Sequence, residues 1–154
     1  MRTAIAAAAF LALATSVAQA QQPAVRTVPE TEVAALFSKQ KSTIVVDARM
    51  PDERGKWGLS CTNCSTINIP FDFGSNDKSA AAGAKTFSDA ASKNAALQAA
   101  KASGQEVVVV CLAGGRSGAA AEQLAKMGVK TVVLQDGLGA LKDTKNIQGA
   151  KPKG

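Results

Sequence analysis

Histidine and tyrosine are absent from this chain, and tryptophan occurs once in its 154 residues. Without histidine, the protein has no imidazole to serve as a catalytic base or as a metal ligand. The few aromatic side chains offer no stacking platform, and the basic residues form no stripe, so nucleic acid is not expected as a partner. Cysteine is also scarce, with three residues at positions 61, 64 and 111. An odd number leaves at least one thiol without a partner inside the chain.

Long apolar runs are missing except at the N-terminus. Met1-Arg2-Thr3 gives a short basic start, residues 4–17 are mostly apolar, and Ala18-Gln19-Ala20 is a small-x-small cleavage pattern. These features predict a secretory signal peptide over residues 1–20 and a periplasmic location. The run is shorter than the ~20 residues that a membrane-spanning helix needs. No membrane association is therefore expected after cleavage.

Removal of the signal peptide leaves 134 residues, which suits one domain with a core and is too short for two. The formal net charge then falls from +6 to +5, because Arg2 is lost, and a mildly basic surface suits a small anionic substrate. We expect a linker over residues 21–26, one domain over residues 27–142 and a flexible basic tail over residues 143–154. The expected form is a monomer.

Strand and helix patterns alternate along the domain. Apolar runs predict strands over residues 43–48, 66–69, 106–110 and 131–134. Helices are predicted after a capping box at Thr27 and Glu30, and over residues 89–102, 117–127 and 137–142. Residues 49–65 are predicted to form a loop. This alternation indicates an α/β fold with a mostly parallel sheet and helices on both faces, in which ligands bind at the carboxyl ends of strands.

One stretch carries the strongest chemical signal, a cysteine between a strand and a helix. Val107–Val110 predicts a buried strand, Cys111 ends it, and helix-forming residues follow from Ser117. Gly114 and Gly115 allow the backbone to take positive φ and curl around the sulfur, so that successive N–H groups form an anion-binding nest. A thiol there is stabilised as an anion by the N–H groups and by the start of the helix.

The residues after the cysteine add donors to this loop. Arg116 supplies a permanent charge with a forked donor set, and Ser117 can cap the helix or donate to a bound group. A buried, inert cysteine is the alternative interpretation, but the Gly-Gly-Arg-Ser continuation favours a thiol that takes part in chemistry. The candidate site therefore has Cys111 as the nucleophile, with a substrate-binding and anion-binding loop formed by Leu112, Ala113, Gly114, Gly115, Arg116 and Ser117.

Four segments, in order, resemble motifs of the rhodanese-like sulfurtransferases. Cys-x-x-Gly-x-Arg-Ser from Cys111 is similar to the active loop of that family. Asp47–Glu53 resembles its Asp-Val-Arg-x-Pro-x-Glu segment, and Ile67–Pro70 matches its Ile-Asn-Ile-Pro. Val133–Leu141 resembles its closing Leu-x-Gly-Gly-x-x-Ala-Trp. The resemblance covers roughly residues 27–142 and implies a rhodanese-like three-layer sandwich.

The resemblance also implies a reaction. The Cys111 thiolate would take the sulfane sulfur of a donor, thiosulfate or a persulfide, and pass it to a thiophilic acceptor in a ping-pong cycle. Arg116 would bind the anion, whereas Asp47 and Arg49 would support the fold beside the loop. No cofactor and no metal is implied. The expected partners are a small sulfur-containing anion or a protein persulfide, and a periplasmic protein.

Two alternatives come from other classes. Phosphatases and related enzymes resemble Cys-x5-Arg, whereas Cys111 and Arg116 are spaced as Cys-x4-Arg, and the shorter loop suits a sulfur atom better than a phosphate. A non-enzymatic rhodanese-like module that carries sulfur for, or docks to, a periplasmic protein is the other alternative. It is favoured by Leu112 and Ala113, because charged residues are common at these positions in active family members.

Cys61 and Cys64 lie in an enlarged segment between the Asp47–Glu53 motif and the Ile67–Pro70 motif. A structural disulfide is one interpretation, since export places the pair in an oxidising compartment. A redox or sulfur-relay pair that works with Cys111 is the second. Half of a metal site is the third, although zinc needs about four ligands and few candidates remain to complete the set.

Overall fold

The computed structural model describes residues 23–39, 42–74, 80–139 and 147–152. The predicted signal peptide lies outside the described residues. The helices are α1 (Glu30–Lys39), α2 (Pro51–Lys56), α3 (Ala80–Ser92), α4 (Ala95–Ser103) and α5 (Gly115–Lys126). The strands are β1 (Val25–Val28), β2 (Thr43–Asp47), β3 (Trp57–Cys61), β4 (Cys64–Asn68), β5 (Val107–Val110), β6 (Thr131–Leu134) and β7 (Ile147–Pro152).

Five strands form the main sheet in the order β1-β6-β5-β2-β4, and every neighbouring pair is parallel. All residues of β2, β5 and β6 are buried, as expected for strands that are covered on both faces. β3 and β7 form a separate antiparallel ribbon. The predicted α/β fold with a mostly parallel sheet is confirmed.

Alternate residues of β5 point to opposite faces of the sheet. On one face, its odd-numbered residues pack with side chains of α3, α4 and α5, including Phe87, Leu97 and Leu124. On the other face, its even-numbered residues pack with Val33 of α1, and Trp57 of β3 packs against the same cluster. The layers are therefore three helices, the sheet, and α1 with β3.

The chain enters the sheet earlier than the sequence predicted. Val25 and Arg26 belong to β1, which pairs with β6, so the expected linker over residues 21–26 ends before them. Thr27 lies in the same strand and does not cap a helix; α1 begins at Glu30. The short mixed run of β1 becomes a strand because β6 supplies its backbone partners.

The segment 49–65, predicted as a loop, contains α2, β3 and the start of β4. Pro51 opens α2, a position where a missing N–H costs nothing. β3 pairs with β7, so its extended form depends on a partner from the far end of the chain. The tail predicted as flexible over 143–154 instead contributes β7, and the rest of that tail lies outside the described residues.

Two helix predictions also differ from the structure. The helix predicted over residues 89–102 is divided between α3 and α4, because Asn94 caps α4 by accepting from Ala96 N and Leu97 N at 3.1 and 3.2 Å. Residues 137–139 form a turn rather than the start of a helix, and residues 140–142 are not described. Within the described ranges, no helix is both long and apolar enough to cross a membrane.

A buried ion pair closes the carboxyl end of β2. The side chains of Asp47 and Arg49 are 1% and 2% exposed. Arg49 Nη2 donates to Asp47 Oδ2 at 2.7 Å, and Arg49 Nε donates to Oδ1 at 2.9 Å. Arg49 Nη1 donates to the Trp57 carbonyl at 2.9 Å, which ties the start of β3 to the end of β2. Both residues thus lie where a supporting role was predicted.

Replacement of Asp47 by alanine should lower the free energy of unfolding by about 3–5 kcal/mol, because it leaves a buried guanidinium without its counter-charge. Urea unfolding followed by circular dichroism measures this loss. Asp89→Ala is the matched control, since Asp89 pairs with Lys85 on the exposed surface of α3, at 2.6 Å. That control should leave the unfolding midpoint unchanged. Similar losses of unfolding free energy in the two variants would contradict a special role for the buried pair of Asp47 and Arg49.

Candidate active site

The four motif segments meet at the carboxyl edge of the main sheet, because they follow β2, β4, β5 and β6. Main-chain hydrogen bonds join them. Ala48 N donates to Val110 O at 2.8 Å, and Ile69 N donates to Asp47 O at 3.2 Å. Leu138 N donates to Cys111 O at 2.8 Å. The backbone of the cysteine is therefore fixed from the segments on either side of it.

The Cys111 thiol is buried at the start of its loop, and the residue is 1% exposed. Gly114 N donates to Cys111 Sγ at 3.1 Å. Cys111 Sγ lies 3.4 Å from Ser117 Oγ, and that hydroxyl donates to the Gly114 carbonyl at 2.8 Å. The sulfur thus contacts one main-chain N–H and one hydroxyl, both from its own loop.

Glycine is required at position 114 by conformation and by space. Its φ is +90°, a value that L side chains rarely adopt. A Cβ there would lie 2.8 Å from Gln135 O. This conformation turns the Gly114 N–H toward the sulfur. Positive φ was predicted for Gly115 as well, but Gly115 is the first residue of α5 and does not adopt it.

Ser117 contributes in a different way from that expected. α5 begins at Gly115, so Ser117 lies in its first turn and does not precede it. Its hydroxyl donates to the Gly114 carbonyl, and no side-chain cap satisfies the first N–H groups of α5. Ser117 is fully buried. Ser117 therefore bonds to the loop carbonyl of Gly114 and contacts the thiol, and it does not cap the helix.

Arg116 forms an ion pair that no sequence pattern predicted. Its Nη1 and Nη2 donate to the two carboxylate oxygens of Glu53, the third residue of α2. The pair is partly buried, with 20% and 22% of the two side chains exposed. The hydrogen bond from Arg116 lowers the pKa of Glu53, and the same bond raises the pKa of Arg116. The charge predicted for anion binding is therefore compensated by a carboxylate.

A cavity of about 470 Å³ adjoins this ion pair. Its apolar walls come from Met50, Phe71 and Phe73, and its remaining lining comes from Asp52, Glu53, Asp72, Gly74 and Arg116. The ring of Phe73 is half exposed and packs edge-on to Phe71, with centroids 5.5 Å apart. The cavity opens next to the cysteine loop, because Arg116 belongs to both.

The predicted loop residues that remain have different surroundings. Leu112 is half-buried and packs against the cluster on the α1 face. Ala113 and Gly115 are exposed, and Gly115 faces the ring of Phe73. Of these three residues, Gly115 is the one that the structure relates to the cavity, through the ring of Phe73.

Cys61 and Cys64 are joined by a disulfide, and Cys111 is the free cysteine. Cys64 is level with Thr43 at the start of β2, whereas Val110, next to Cys111, is level with Asp47 at its end. At about 3.3 Å per residue, Cys64 is about 13 Å along the strands from the level of Val110, the residue before the thiol. The disulfide and the thiol lie at opposite ends of the sheet. The geometry therefore favours a structural disulfide over a direct sulfur relay to Cys111.

The described residues contain no group of three or more histidine, cysteine or acidic side chains arranged to hold a metal ion. The sulfurs of Cys61 and Cys64 are bonded to each other. This leaves the metal interpretation of the pair without support from the geometry.

Comparisons with known proteins agree with a parallel α/β domain that carries a thiol at its carboxyl edge. The model of the rhodanese-like domain matches residues 30–144. The chain therefore belongs to the rhodanese-like domain family, as the motifs predicted. Membership in this family supports a function related to sulfur transfer, or another function that rhodanese-fold proteins have. A comparison with curated proteins found no match.

Two solved structures are similar in fold. A rhodanese-like domain protein from Staphylococcus aureus has 21% identity and a TM-score of 0.52, over 84% of this chain and 99% of that chain. SSP1007 from Staphylococcus saprophyticus subsp. saprophyticus has 18% identity and a TM-score of 0.52, over 79% of this chain and 97% of that chain. These similarities confirm the predicted rhodanese-like fold.

Substitution of Gly114 by alanine should destabilise the protein by about 1–2 kcal/mol, because a Cβ is strained at positive φ and collides with a carbonyl. It should also slow alkylation of Cys111 by iodoacetamide, because the Gly114 N–H moves away from the sulfur. Gly118→Ala is the matched control in α5, where a Cβ meets nothing within 4 Å. That change should raise stability by up to about 1 kcal/mol. Equal alkylation rates in the two variants would exclude the proposed contact.

Proposed function

We propose that this protein is an exported sulfurtransferase of the thiosulfate sulfurtransferase type, with Cys111 as the carrier of sulfane sulfur. The observation that supports this most directly is the Gly114 N–H, 3.1 Å from the Cys111 sulfur, at the start of α5. An N–H donor and a helix N-terminus both favour negative charge on sulfur. A thiolate and a persulfide anion each place that charge there.

The reaction divides into two steps. The Cys111 thiolate attacks the outer sulfur of thiosulfate or of a persulfide donor, the S–S bond of the donor breaks, and sulfite or a thiolate leaves with the electron pair. A nucleophilic acceptor then attacks the outer sulfur of the Cys111 persulfide, and the thiolate is regenerated. No external oxidant or reductant is needed: in the first step one S–S bond forms as one breaks, and in the second the acceptor bonds to the outer sulfur as the Cys111 S–S bond breaks.

The fold supports these steps through position rather than through an acid or base. The thiol is buried and contacts its own loop, so the loop controls how a donor or acceptor approaches the sulfur. Asp47 and Arg49 support the adjacent segments and do not contact the sulfur in the hydrogen bonds of the described residues. Ser117 holds the loop carbonyl and lies beside the sulfur.

A non-enzymatic sulfur carrier is the second candidate. The observation that favours it is the low charge of the loop, because Leu112 and Ala113 are uncharged and Arg116 is paired with Glu53. Such a module would accept sulfur at Cys111 once and release it to a protein partner. Turnover with a small acceptor separates the two candidates.

Wild-type protein should form thiocyanate from thiosulfate or an organic thiosulfonate and cyanide, whereas Cys111→Ser should form none above background. Intact-mass analysis after donor treatment should find one added sulfur atom in wild type and none in the variant. Equal turnover in the two proteins would exclude the enzyme, and sulfur added at Cys111 without turnover would favour the carrier. Cys111→Ser is nearly isosteric, so its circular dichroism spectrum should match wild type.

We also propose export to the periplasm, on the basis of the N-terminal segment. Protein recovered from the periplasm should begin at Gln21, and after denaturation it should contain one reactive thiol, because Cys61 and Cys64 are paired. N-terminal sequencing and thiol titration measure the two properties. Recovery of the full-length chain in the cytosol would contradict export, and three reactive thiols would contradict the disulfide.

A further inference from the structure

The charge of the cysteine loop is set by a residue outside it. Arg116 is the one charged residue from Cys111 to Ser117, and both of its terminal nitrogens bond to Glu53. Bidentate pairing of this kind holds the two charges close together. A second anion that approaches Arg116 therefore meets a guanidinium whose charge is already balanced.

The space next to the pair is more apolar and acidic than basic. Met50, Phe71 and Phe73 form its apolar walls, and Asp52 and Asp72 add carboxylates to that of Glu53. Among the described residues that line this cavity, Arg116 is the one cation. A small dianion gains no net electrostatic attraction there.

An aromatic side chain offers binding energy in place of charge. Phe73 is 51% exposed, although large apolar side chains are usually buried. Its ring also lies against the cysteine loop, since a Cβ on Gly115 would be 3.8 Å from Phe73 Cε2. An apolar group that entered the cavity would cover this ring and remove its surface from water.

We propose that Glu53 determines the donor specificity of the sulfur-transfer site, so that it takes sulfur from an organic donor whose leaving group carries an apolar substituent rather than from free thiosulfate. The inference rests on the proposed function of Cys111. In the first step, the Cys111 thiolate attacks the outer sulfur of an organic thiosulfonate anion, the S–S bond breaks, and the sulfinate leaves with the electron pair. The charge of minus one on each reactant is kept on each product.

Two donors that transfer the same outer sulfur test this specificity. Thiosulfate carries two negative charges, whereas benzenethiosulfonate carries one and replaces a charged oxygen by a phenyl ring. With cyanide as the acceptor, wild-type protein should have a kcat/KM about tenfold higher for benzenethiosulfonate. A similar or higher value for thiosulfate would overturn the proposal.

The matched variants are Glu53→Gln and Glu122→Gln, which remove the same charge. Glu53→Gln frees the charge of Arg116, so kcat/KM for thiosulfate should rise several-fold and the preference should fall. Glu122 is exposed on α5, away from the cavity lining, and its replacement should leave the preference unchanged. Equal effects of the two variants would overturn the role of Glu53.

Phe73→Ala provides a test that does not depend on the ion pair. Because Phe73 is exposed, the variant should fold, and its kcat/KM for benzenethiosulfonate should fall about fivefold. An unchanged value would overturn the apolar part of the proposal. Intact-mass analysis separates a failure of this inference from a failure of the proposed function. If neither donor adds sulfur to Cys111 in wild type, both fail, whereas loading by both donors at equal rates contradicts the specificity alone.

Discussion

The carboxylate of Asp47 is the point on which the carboxyl edge of the sheet depends. It accepts hydrogen bonds from the main-chain N–H and the guanidinium of Arg49, and Arg54 approaches it at 3.4 Å. Asn68 Nδ2 donates to the Asp47 carbonyl at 2.7 Å and to the Arg49 carbonyl at 3.0 Å. Buried ion pairs of this kind add little net stability, but they fix geometry, because either charge left alone is costly. The ends of β2 and β4 and the start of β3 are held together in this way.

The cysteine loop is held by a different kind of contact. Among the described residues, the sulfur accepts from one main-chain N–H, that of Gly114, and lies beside the Ser117 hydroxyl, and no charged side chain bonds to it. The Gly114 N–H is fixed before any substrate arrives, so it needs little reorganisation when charge develops on sulfur. The charged residues act around this loop. The pair of Asp47 and Arg49 supports the neighbouring segments, and the pair of Glu53 and Arg116 sets the charge that a donor meets.

Some elements could be predicted because their signal is local. β2, β5 and β6 are short apolar runs that are buried on both faces, and they were predicted to within a residue or two. β1, β3 and β7 were missed, because each becomes a strand through pairing with a distant segment. The break before α4 was also missed, since Asn94 reads as an ordinary polar residue within an alanine-rich run.

The residues of the candidate site also fall into those with a local sequence signal and those brought together by the fold. The thiol, the glycine that turns an N–H toward it and the residues of its loop are consecutive in sequence, so their pattern was visible. Glu53 and Arg116 are 63 positions apart, and neither a spacing nor a periodicity relates them. The cavity wall formed by Phe71 and Phe73 likewise depends on how the segment after β4 packs against α3, where the ring centroids of Phe71 and Phe87 are 5.5 Å apart. Residues that hold the sulfur could be predicted, whereas residues that shape what reaches it could not.

The alternation of β5 has a consequence for how this chain can vary. Cys111 continues the odd-numbered series of Val107 and Val109 and belongs to the cluster on the face of α3, α4 and α5. Leu112 packs with the cluster on the opposite face. One residue inserted or removed within the strand would exchange these two faces and carry the thiol to the wrong side of the sheet. The apolar side chains of β5 can therefore be exchanged for one another, but their number is fixed by the position of a single sulfur atom.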